Sequence, residues 1–249
     1  MKKVIFIAAA LCALAACNKE VISAPSSEVG YLSFGLSADD VIIETKAVTA
    51  AELDLYKVYI GNTSHTYGTD IKNKVLEIAP GNYNVYAENI SAEEAHNGNG
   101  ALRLATANQQ ISVEAGATTT TTLNCVAVNS KINVTFSDSF KKAFSSWSVV
   151  IGYEGNNDRD KTITHESTNA EFFYNVHQTV ENIELALTAS ATDISKSHTT
   201  KFKLQAGYHY TVNYSAGENG FVGITVTADD NLIDADDTNV TVNPYTPAN

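Results

Sequence analysis

The chain has 249 residues, of which 16 are basic and 28 acidic, so its formal net charge is −12. A surface this acidic repels nucleic acid and anionic lipid, which excludes a nucleic-acid partner and attachment to a membrane by charge alone. The length is sufficient for one large domain or two small ones, stabilised by a hydrophobic core.

The N-terminus resembles a bacterial lipoprotein signal. Lys2 and Lys3 precede an apolar run, Val4–Ala13, which leads into Leu14-Ala15-Ala16-Cys17. The run is shorter than the roughly 20 apolar residues that span a bilayer, and this order favours a cleaved signal over a buried N-terminal helix or strand. We therefore predict that residues 1–16 form the signal peptide and that lipid is attached to the thiol of Cys17. Stable anchoring then takes more than one acyl chain.

Cysteine usage agrees with export. Cys12 leaves with the signal and Cys17 carries the lipid, so Cys125 is the one thiol left in the mature body, which therefore has no internal disulfide. Cys125 follows Leu123 on the same alternation, which predicts an inward-facing side chain. Because no histidine is near it in sequence, a catalytic thiol is not favoured.

Residues 17–28 form the lipidated cysteine and a polar, flexible tether. The first strand pattern follows it, with Leu32, Phe34 and Leu36 alternating with small residues. Even fully extended, at about 3.3–3.6 Å per residue, such a tether reaches less than roughly 40 Å from the membrane.

The period of two recurs almost to the end of the chain, at spacings typical of a sandwich or barrel. The further strand patterns are Tyr56–Ile60, Tyr83–Ala87, Ala117–Cys125, Ile132–Phe136, Trp147–Ile151, Ile183–Leu187, Phe202–Leu204, Tyr208–Tyr214, Val222–Val226 and Val240–Val242. Helical patterns are scarce, and we expect only single turns at Ala50–Leu55 and at Ser137–Phe144, where Ser137 or Asp138 can cap.

A faint internal repeat divides the body into two. Ile78–Val85 matches Leu204–Val212, since in each an apolar strand end meets a glycine turn and then an aromatic strand. Val113–Gly116 has the same kind of turn. We therefore predict two tandem antiparallel β-sandwich domains, residues 29–124 and residues 125–249, the second with a short proline-containing tail.

At this point the chain resembles an uncharacterised lipoprotein family of Bacteroides-type bacteria, a domain of unknown function. The residues that carry the resemblance are Gly30–Phe34, Pro80–Tyr83, Asn124–Cys125, Asn129–Val134 and Asp234–Asp237. That family is similar in layout to fimbrillin-like proteins, whose two domains are transthyretin-like β-sandwiches. The resemblance implies fold and location, and it brings no catalytic residue.

One departure from the fimbrial pattern bears on assembly. Fimbrial shaft subunits exchange a strand with the next subunit, whereas here the part before Gly30 is a short polar tether. The C-terminus contains Pro244 and Pro247, and proline is a poor donor to a sheet. The sequence therefore favours an anchor, a tip or a solitary surface module over a repeating shaft subunit.

Candidate site residues are few. The acidic residues Asp229, Asp230, Asp234, Asp236 and Asp237 are weak candidates for a calcium site, because oxygen-rich clusters hold Ca²⁺. Their spacing does not fit an EF-hand loop, so a solvated loop is the preferred interpretation. Glu93 and His96 have a spacing that binds metal on a helix, but Gly98 and Gly100 favour a loop tip there.

Catalytic motifs are absent from the sequence: it has no nucleophile elbow, zinc-protease helix or phosphate loop. The many tyrosines are predicted to be mostly core residues, with Tyr31, Tyr67, Tyr86, Tyr153 and Tyr174 less clearly inward. No sugar-stacking face can be named from them.

The prediction is a membrane-anchored, non-enzymatic outer-membrane lipoprotein of the cell envelope, periplasmic or surface-exposed, without a cofactor. Its expected role is adhesion or fimbria-like assembly with a protein partner. One alternative is a glycan-binding surface lipoprotein for carbohydrate capture, and the other is a calcium-stabilised adhesin.

Overall fold

The structure of the protein is a computed structural model that describes residues 29–38, 48–155, 161–177, 181–192, 194–217, 222–228, 231–232 and 239–240. The regular elements in these ranges are eighteen strands, three short α-helices and one π-helical turn. None of the helices there is long and apolar enough to cross a membrane. The predicted all-β class is confirmed.

The first half, residues 29–127, contains one continuous sheet in the order β3-β2-β5-β6-β8-β1-β4, with β7 added to β5. The two-residue strand β6 pairs β5 on one side and β8 on the other. The strands are β1 (Gly30–Ala38), β2 (Lys57–Ile60), β3 (Thr63–Thr66), β4 (Leu76–Ile78), β5 (Gly81–Glu88), β6 (Leu104–Ala105), β7 (Gln109–Val113) and β8 (Thr118–Ala127), with α1 at Ala50–Leu53, the π-helical turn at Tyr67–Ile71 and α2 at Ala92–His96.

The second half, from Asn129, has two sheets, β11-β10-β13-β14 and β12-β9-β15-β16-β17, with β18 added to β16. Its strands are β9 (Asn129–Phe136), β10 (Ser146–Tyr153), β11 (Lys161–Thr164), β12 (Glu171–Asn175), β13 (Glu181–Ala191), β14 (Ile194–Leu204), β15 (His209–Ala216), β16 (Val222–Ala228), β17 (Asn231–Leu232) and β18 (Asn239–Val240), and α3 is Asp138–Ala143.

Each half encloses its own core, as a sandwich requires. In the first, Leu32 of β1 and Leu123 of β8 pack in one cluster with Val58 of β2 and Val85 of β5. In the second, residues of β9, β15 and β16 pack in one cluster with residues of β10, β13 and β14. These buried residues occupy the alternate positions that the sequence pattern predicts.

Both halves contain one parallel strand pair within sheets that are otherwise antiparallel. β1 runs parallel to β8 over Tyr31–Ala38, and β9 runs parallel to β15 over Lys131–Phe136. The prediction named antiparallel sheets throughout. Alternation reports which face a side chain occupies and not the direction of the neighbouring strand, so this pairing could not be predicted from the pattern.

The two halves share the turn that precedes the late strand of their parallel pair. Gly116 N donates to Val29 O at 2.8 Å ahead of β8, and Gly207 N donates to Asn129 O at 2.9 Å ahead of β15. Both glycines have positive φ, 71° and 88°, which suits glycine best. The structural repeat therefore aligns the Gly116 turn with the Gly207 turn, whereas the sequence comparison had aligned the Gly81 turn with it.

Gly30 and Ser130 occupy equivalent positions in the two halves but differ in the room they leave for a side chain. A side chain at Gly30 would collide with Val113 and lie 2.6 Å from Glu114 O. Ser130 occupies the equivalent place in β9, and its hydroxyl donates to Gln205 O at 2.5 Å. The predicted division between residues 124 and 125 falls inside β8, so we propose Val128 as the division between two domains.

The short helices form where side chains cap them. Ser137 Oγ accepts from Phe140 N ahead of α3, and Thr49 forms a capping box with Glu52 ahead of α1. Both helical turns were predicted. The third helix, α2, was not, although Ser91 and Glu94 form a capping box of the same kind.

Candidate functional site

Two tyrosines stack on the solvent-facing side of the first half. Tyr59 of β2 and Tyr86 of β5 are register partners in adjacent antiparallel strands, so their side chains share a face. Their ring centroids are 4.4 Å apart and their planes differ by 6°. Val58 and Ile60, which flank Tyr59, are buried in the core. The pair therefore points away from the core, and both rings are partly exposed.

Core packing accounts for most other described tyrosines but not for this pair. Neither Tyr59 nor Tyr86 belongs to a core cluster. The tyrosines that are buried in a core or pack against one are Tyr56, Tyr67, Tyr83, Tyr153, Tyr174, Tyr210 and Tyr214. Two large aromatic side chains thus lie at a surface where the fold does not need them for burial.

A charged pair lies next to the stacked rings. Glu88 is two residues beyond Tyr86 on the same face of β5, and it is only 5% exposed. Arg103 donates to Glu88 Oε2 from Nη2 at 2.6 Å and from Nε at 3.1 Å. Because an unpaired carboxylate is costly to bury, Arg103 stabilises Glu88 at this position. We call Tyr59, Tyr86, Glu88 and Arg103 the tyrosine surface.

The electrostatics of the tyrosine surface keep both phenols protonated. Burial and then the negative charge of Glu88 raise the pKa of Tyr59 and of Tyr86, and Arg103 partly opposes this at Tyr86. Both hydroxyls are therefore protonated near neutral pH, and that of Tyr59 is hydrogen-bonded to Glu88. The surface offers apolar ring edges, two hydroxyls and a guanidinium within a small area, with the Glu88 carboxylate buried beneath them.

Residues 89–103, which we call the α2 segment, belong to the first half and contact the second half. Fully buried Asn129 of β9 bonds to this segment with both side-chain atoms: Oδ1 accepts from Arg103 N at 3.0 Å and Nδ2 donates to Ala101 O at 2.7 Å. Asn89, at the start of the segment, bonds to the backbone at its end: Nδ2 donates to Leu102 O and Oδ1 accepts from Leu104 N.

Further hydrogen bonds join the α2 segment to β11 and β12. The ammonium of Lys161, a residue that is 4% exposed, donates to His96 O at 2.5 Å and to Gly98 O at 2.6 Å. Asn175 Nδ2 donates to Ala92 O at 2.7 Å, and Phe173 N donates to Asn99 O at 2.9 Å. These bonds fix the segment, and with it Arg103 of the tyrosine surface, against the second half.

The residues that the sequence analysis placed at sites lie mostly outside the described part of the chain. Cys17 lies outside it, as does the aspartate group of Asp229, Asp230, Asp234, Asp236 and Asp237. Lipidation and the calcium site therefore stay predictions. Within the described ranges, no group of three or more His, Cys, Asp or Glu side chains is placed to hold a metal ion.

His96 lies on a helix and not at a loop tip. It is the last residue of α2, and its ring lies 6.0 Å from that of Tyr153 and 5.2 Å from that of Tyr174, measured between centroids. The helix spacing with Glu93 is therefore present, but the ring packs among aromatic side chains of the second half. Of the tyrosines in doubt, Tyr67 and Tyr174 are buried and Tyr86 is in the stacked pair.

Cys125 faces the first core, as predicted, and is fully buried. Burial, with a smaller contribution from the charge of Glu88, raises the pKa of its thiol to about 12. The thiol is therefore protonated near neutral pH, and a protonated thiol is a poor nucleophile.

We expect Cys125 to resist thiol reagents in the native protein and to react only after unfolding. The measurement is labelling of a chain carrying Cys12→Ser and Cys17→Ser by a chromogenic disulfide reagent, with and without denaturant. Rapid and complete labelling of the native chain would contradict the burial of this thiol.

Sequence reasoning missed two features of the site. Tyr59 was not singled out, although its place between Val58 and Ile60 puts it on the outer face by alternation alone. The docking of the α2 segment depends on Asn129, Lys161 and Asn175, which are remote from it in sequence. The capping box at Ser91 was the signal that could have found the helix.

The chain matches one family model and several solved structures. The family is described as "Domain of unknown function (DUF4493)" and matches residues 28–244. No curated protein matches the chain.

Several of the solved structures that are similar to this chain come from Bacteroides species. One from Bacteroides ovatus, described as a "putative adhesin", has a TM-score of 0.45 at 8% identity and covers 83% of this chain and 96% of that one. One from Bacteroides thetaiotaomicron, described as "putative polysaccharide binding proteins (DUF1812)", has a TM-score of 0.43 at 10% identity, with coverage of 80% and 98%. Another "putative adhesin" from Bacteroides ovatus has a TM-score of 0.39 at 13% identity, with coverage of 76% and 87%. With TM-scores below 0.5, these likenesses do not determine the role of this chain.

Proposed function

The chain belongs to the family described as a domain of unknown function, DUF4493, and on that premise we propose that it is a membrane-anchored, non-enzymatic binding module of the cell envelope. Its role in this proposal is adhesion, or assembly with a protein partner at the surface. The expected location is the outer membrane, with the body held by lipid on Cys17.

The observation that carries the binding role is the tyrosine surface. Tyr59 and Tyr86 stack at 4.4 Å on the outer face of the first half and contribute to neither core. Aromatic side chains with a polar tip are enriched where one protein surface contacts another molecule, since they bring large contact area at low entropic cost. Because the two rings do not contribute to a core, we assign them a role in contacting a partner.

The docked α2 segment supports the same proposal. The buried residues Lys161 and Asn129 hold residues 89–103 against the second half through side-chain hydrogen bonds. A module that is anchored at its N-terminus and binds through its body benefits when its two halves are held in a fixed orientation relative to each other. Two of the similar solved structures are described as adhesins. For this chain, adhesion is our proposal.

Anchoring is tested by metabolic labelling with palmitate in the native host. We expect label in the wild-type chain and none after Cys17→Ala, because no other cysteine meets the lipoprotein signal. Cys125→Ala is the matched control and should label like the wild type, since that thiol is buried. Equal label in the Cys17→Ala variant would overturn the anchoring proposal.

A further inference from the structure

We propose that the tyrosine surface is the contact site for a neutral glycan, bound through pyranose rings. This inference rests on the proposed binding role and adds the ligand class and the residues that contact it. The site consists of the outer edges of the stacked Tyr59 and Tyr86 rings, flanked on one side by the Glu88–Arg103 pair.

The dimensions of the surface suit one or two sugar rings. Tyr59 and Tyr86 lie on adjacent strands, which places their backbones about 5 Å apart. Glu88 is two residues further along β5, a step of about 7 Å, and Arg103 lies next to β6, the neighbouring strand. The two rings and the neighbouring Glu88–Arg103 pair together therefore span about the length of a disaccharide.

The chemistry of the surface matches a polyhydroxylated ring. A pyranose presents C–H groups on its faces and hydroxyls around its rim. The phenol rings offer apolar contact for the C–H groups. The Tyr86 hydroxyl can donate a hydrogen bond to the rim or accept one from it, and the Tyr59 hydroxyl, which is hydrogen-bonded to Glu88, can accept one. Arg103 has donors beyond the two that reach Glu88 Oε2, and the buried Glu88 holds the guanidinium in position.

The charges favour a neutral glycan over an acidic one. Arg103 is already paired with Glu88, so the surface has no surplus positive charge for a uronate or sulfate. Glu94 of α2 is near enough to raise the pKa of Tyr59 by its negative charge, and the whole chain carries a net charge of −12. A polyanion would be repelled on approach.

Cross-strand stacking also stabilises the sheet, so the test has to separate folding from binding. The variant is Tyr59→Thr with Tyr86→Thr, since threonine keeps the β-propensity of both strands. The control is Tyr208→Thr, which removes a tyrosine that is 43% exposed at the Gly207 turn, remote in sequence from the tyrosine surface. Thermal melts of all three proteins establish that they are folded.

The experiment is affinity electrophoresis of the full chain in detergent through gels containing α-mannan, β-glucan or galactan, with polygalacturonate as the acidic comparison. We expect retardation by at least one neutral polysaccharide, a loss of about tenfold or more in affinity for the double variant, and no loss for Tyr208→Thr. Three results would overturn the inference: no retardation by any neutral polysaccharide, unchanged retardation of the double variant, or retardation by polygalacturonate alone.

Failure of this inference is distinguishable from failure of the proposed function. Adhesion of cells that produce the wild-type chain or the Cys17→Ala variant is measured on protein-coated and polysaccharide-coated surfaces. Cys17-dependent adhesion to protein alone, without binding to a neutral polysaccharide, would reject the glycan and keep the adhesive role. Adhesion that is the same in both strains on every surface would reject the adhesive role itself.

Discussion

Replacing Gly100 with alanine is expected to destabilise the protein by about 2–5 kcal/mol, the sum of a backbone and a packing cost. Gly100 has a φ of 72°, a conformation that costs an L-residue roughly 1–2 kcal/mol. A Cβ there would also collide with Ala95 O and lie 3.0 Å from Phe173 Cβ. Ala95 belongs to α2 and Phe173 to β12, so relief requires both a distortion within the α2 segment and a shift of that segment away from the second half.

Gly98 provides a matched control two residues earlier. Its φ is 60°, and nothing lies within 4 Å of an added Cβ. Gly98→Ala should therefore cost only the backbone part, about 1–2 kcal/mol. Urea denaturation of the two variants gives the comparison, and limited proteolysis reports opening of residues 89–103. Equal destabilisation by the two substitutions would show that Gly100 is not packed as described.

Replacing the fully buried Asn129 with leucine should cost about 1–3 kcal/mol in all, because two backbone groups lose the side chain that bonds them. Leucine has a similar volume but cannot accept from Arg103 N or donate to Ala101 O, the two bonds that Asn129 makes at 3.0 Å and 2.7 Å. We expect faster hydrogen exchange at the Arg103 amide, in addition to lower stability in urea.

Asn124 is the matched control for this substitution. It is the same residue type on the preceding strand, but it is exposed and contacts Ser37 Oγ at the surface. Asn124→Leu is expected to change stability by no more than about 0.5 kcal/mol. A cost at Asn129 as small as the cost at Asn124 would mean that the Asn129 side chain does not hold the α2 segment.

The strands were predictable because their positions depend on local alternation. Val58 and Ile60, or Val85 and Ala87, must face one side if the other side faces water, and the structure buries all four. The same reasoning predicted the inward-facing Cys125 and the helical turn after Ser137. Each of these features depends on residues within a few positions of one another.

The features that were missed depend on pairs far apart in the chain. Tyr59 and Tyr86 become a site only because β2 pairs with β5 in one register. A shift of a single residue would put the two rings on opposite faces of the sheet. Lys161 reads as an ordinary surface lysine in sequence, yet it is buried against carbonyl groups of His96 and Gly98, more than sixty residues earlier. The repeat was aligned on the wrong glycine because three similar turns compete for the same pattern.

The parallel pairing of β1 with β8 has a consequence for the order in which the protein folds. Among the strands that the structure describes, β1 is the first to be synthesised, and it pairs with β4 at only three register positions but with β8 at eight. Loops of this length make such contacts slow to form. Most of the backbone of β1 must therefore wait, unpaired, until Thr118–Ala127 has been made, whereas β9 can pair first with β12 at five positions and then with β15. A ribosome that stalls before Thr118 leaves the first half without the main partner of β1, whose backbone is then exposed to aggregation and to proteases.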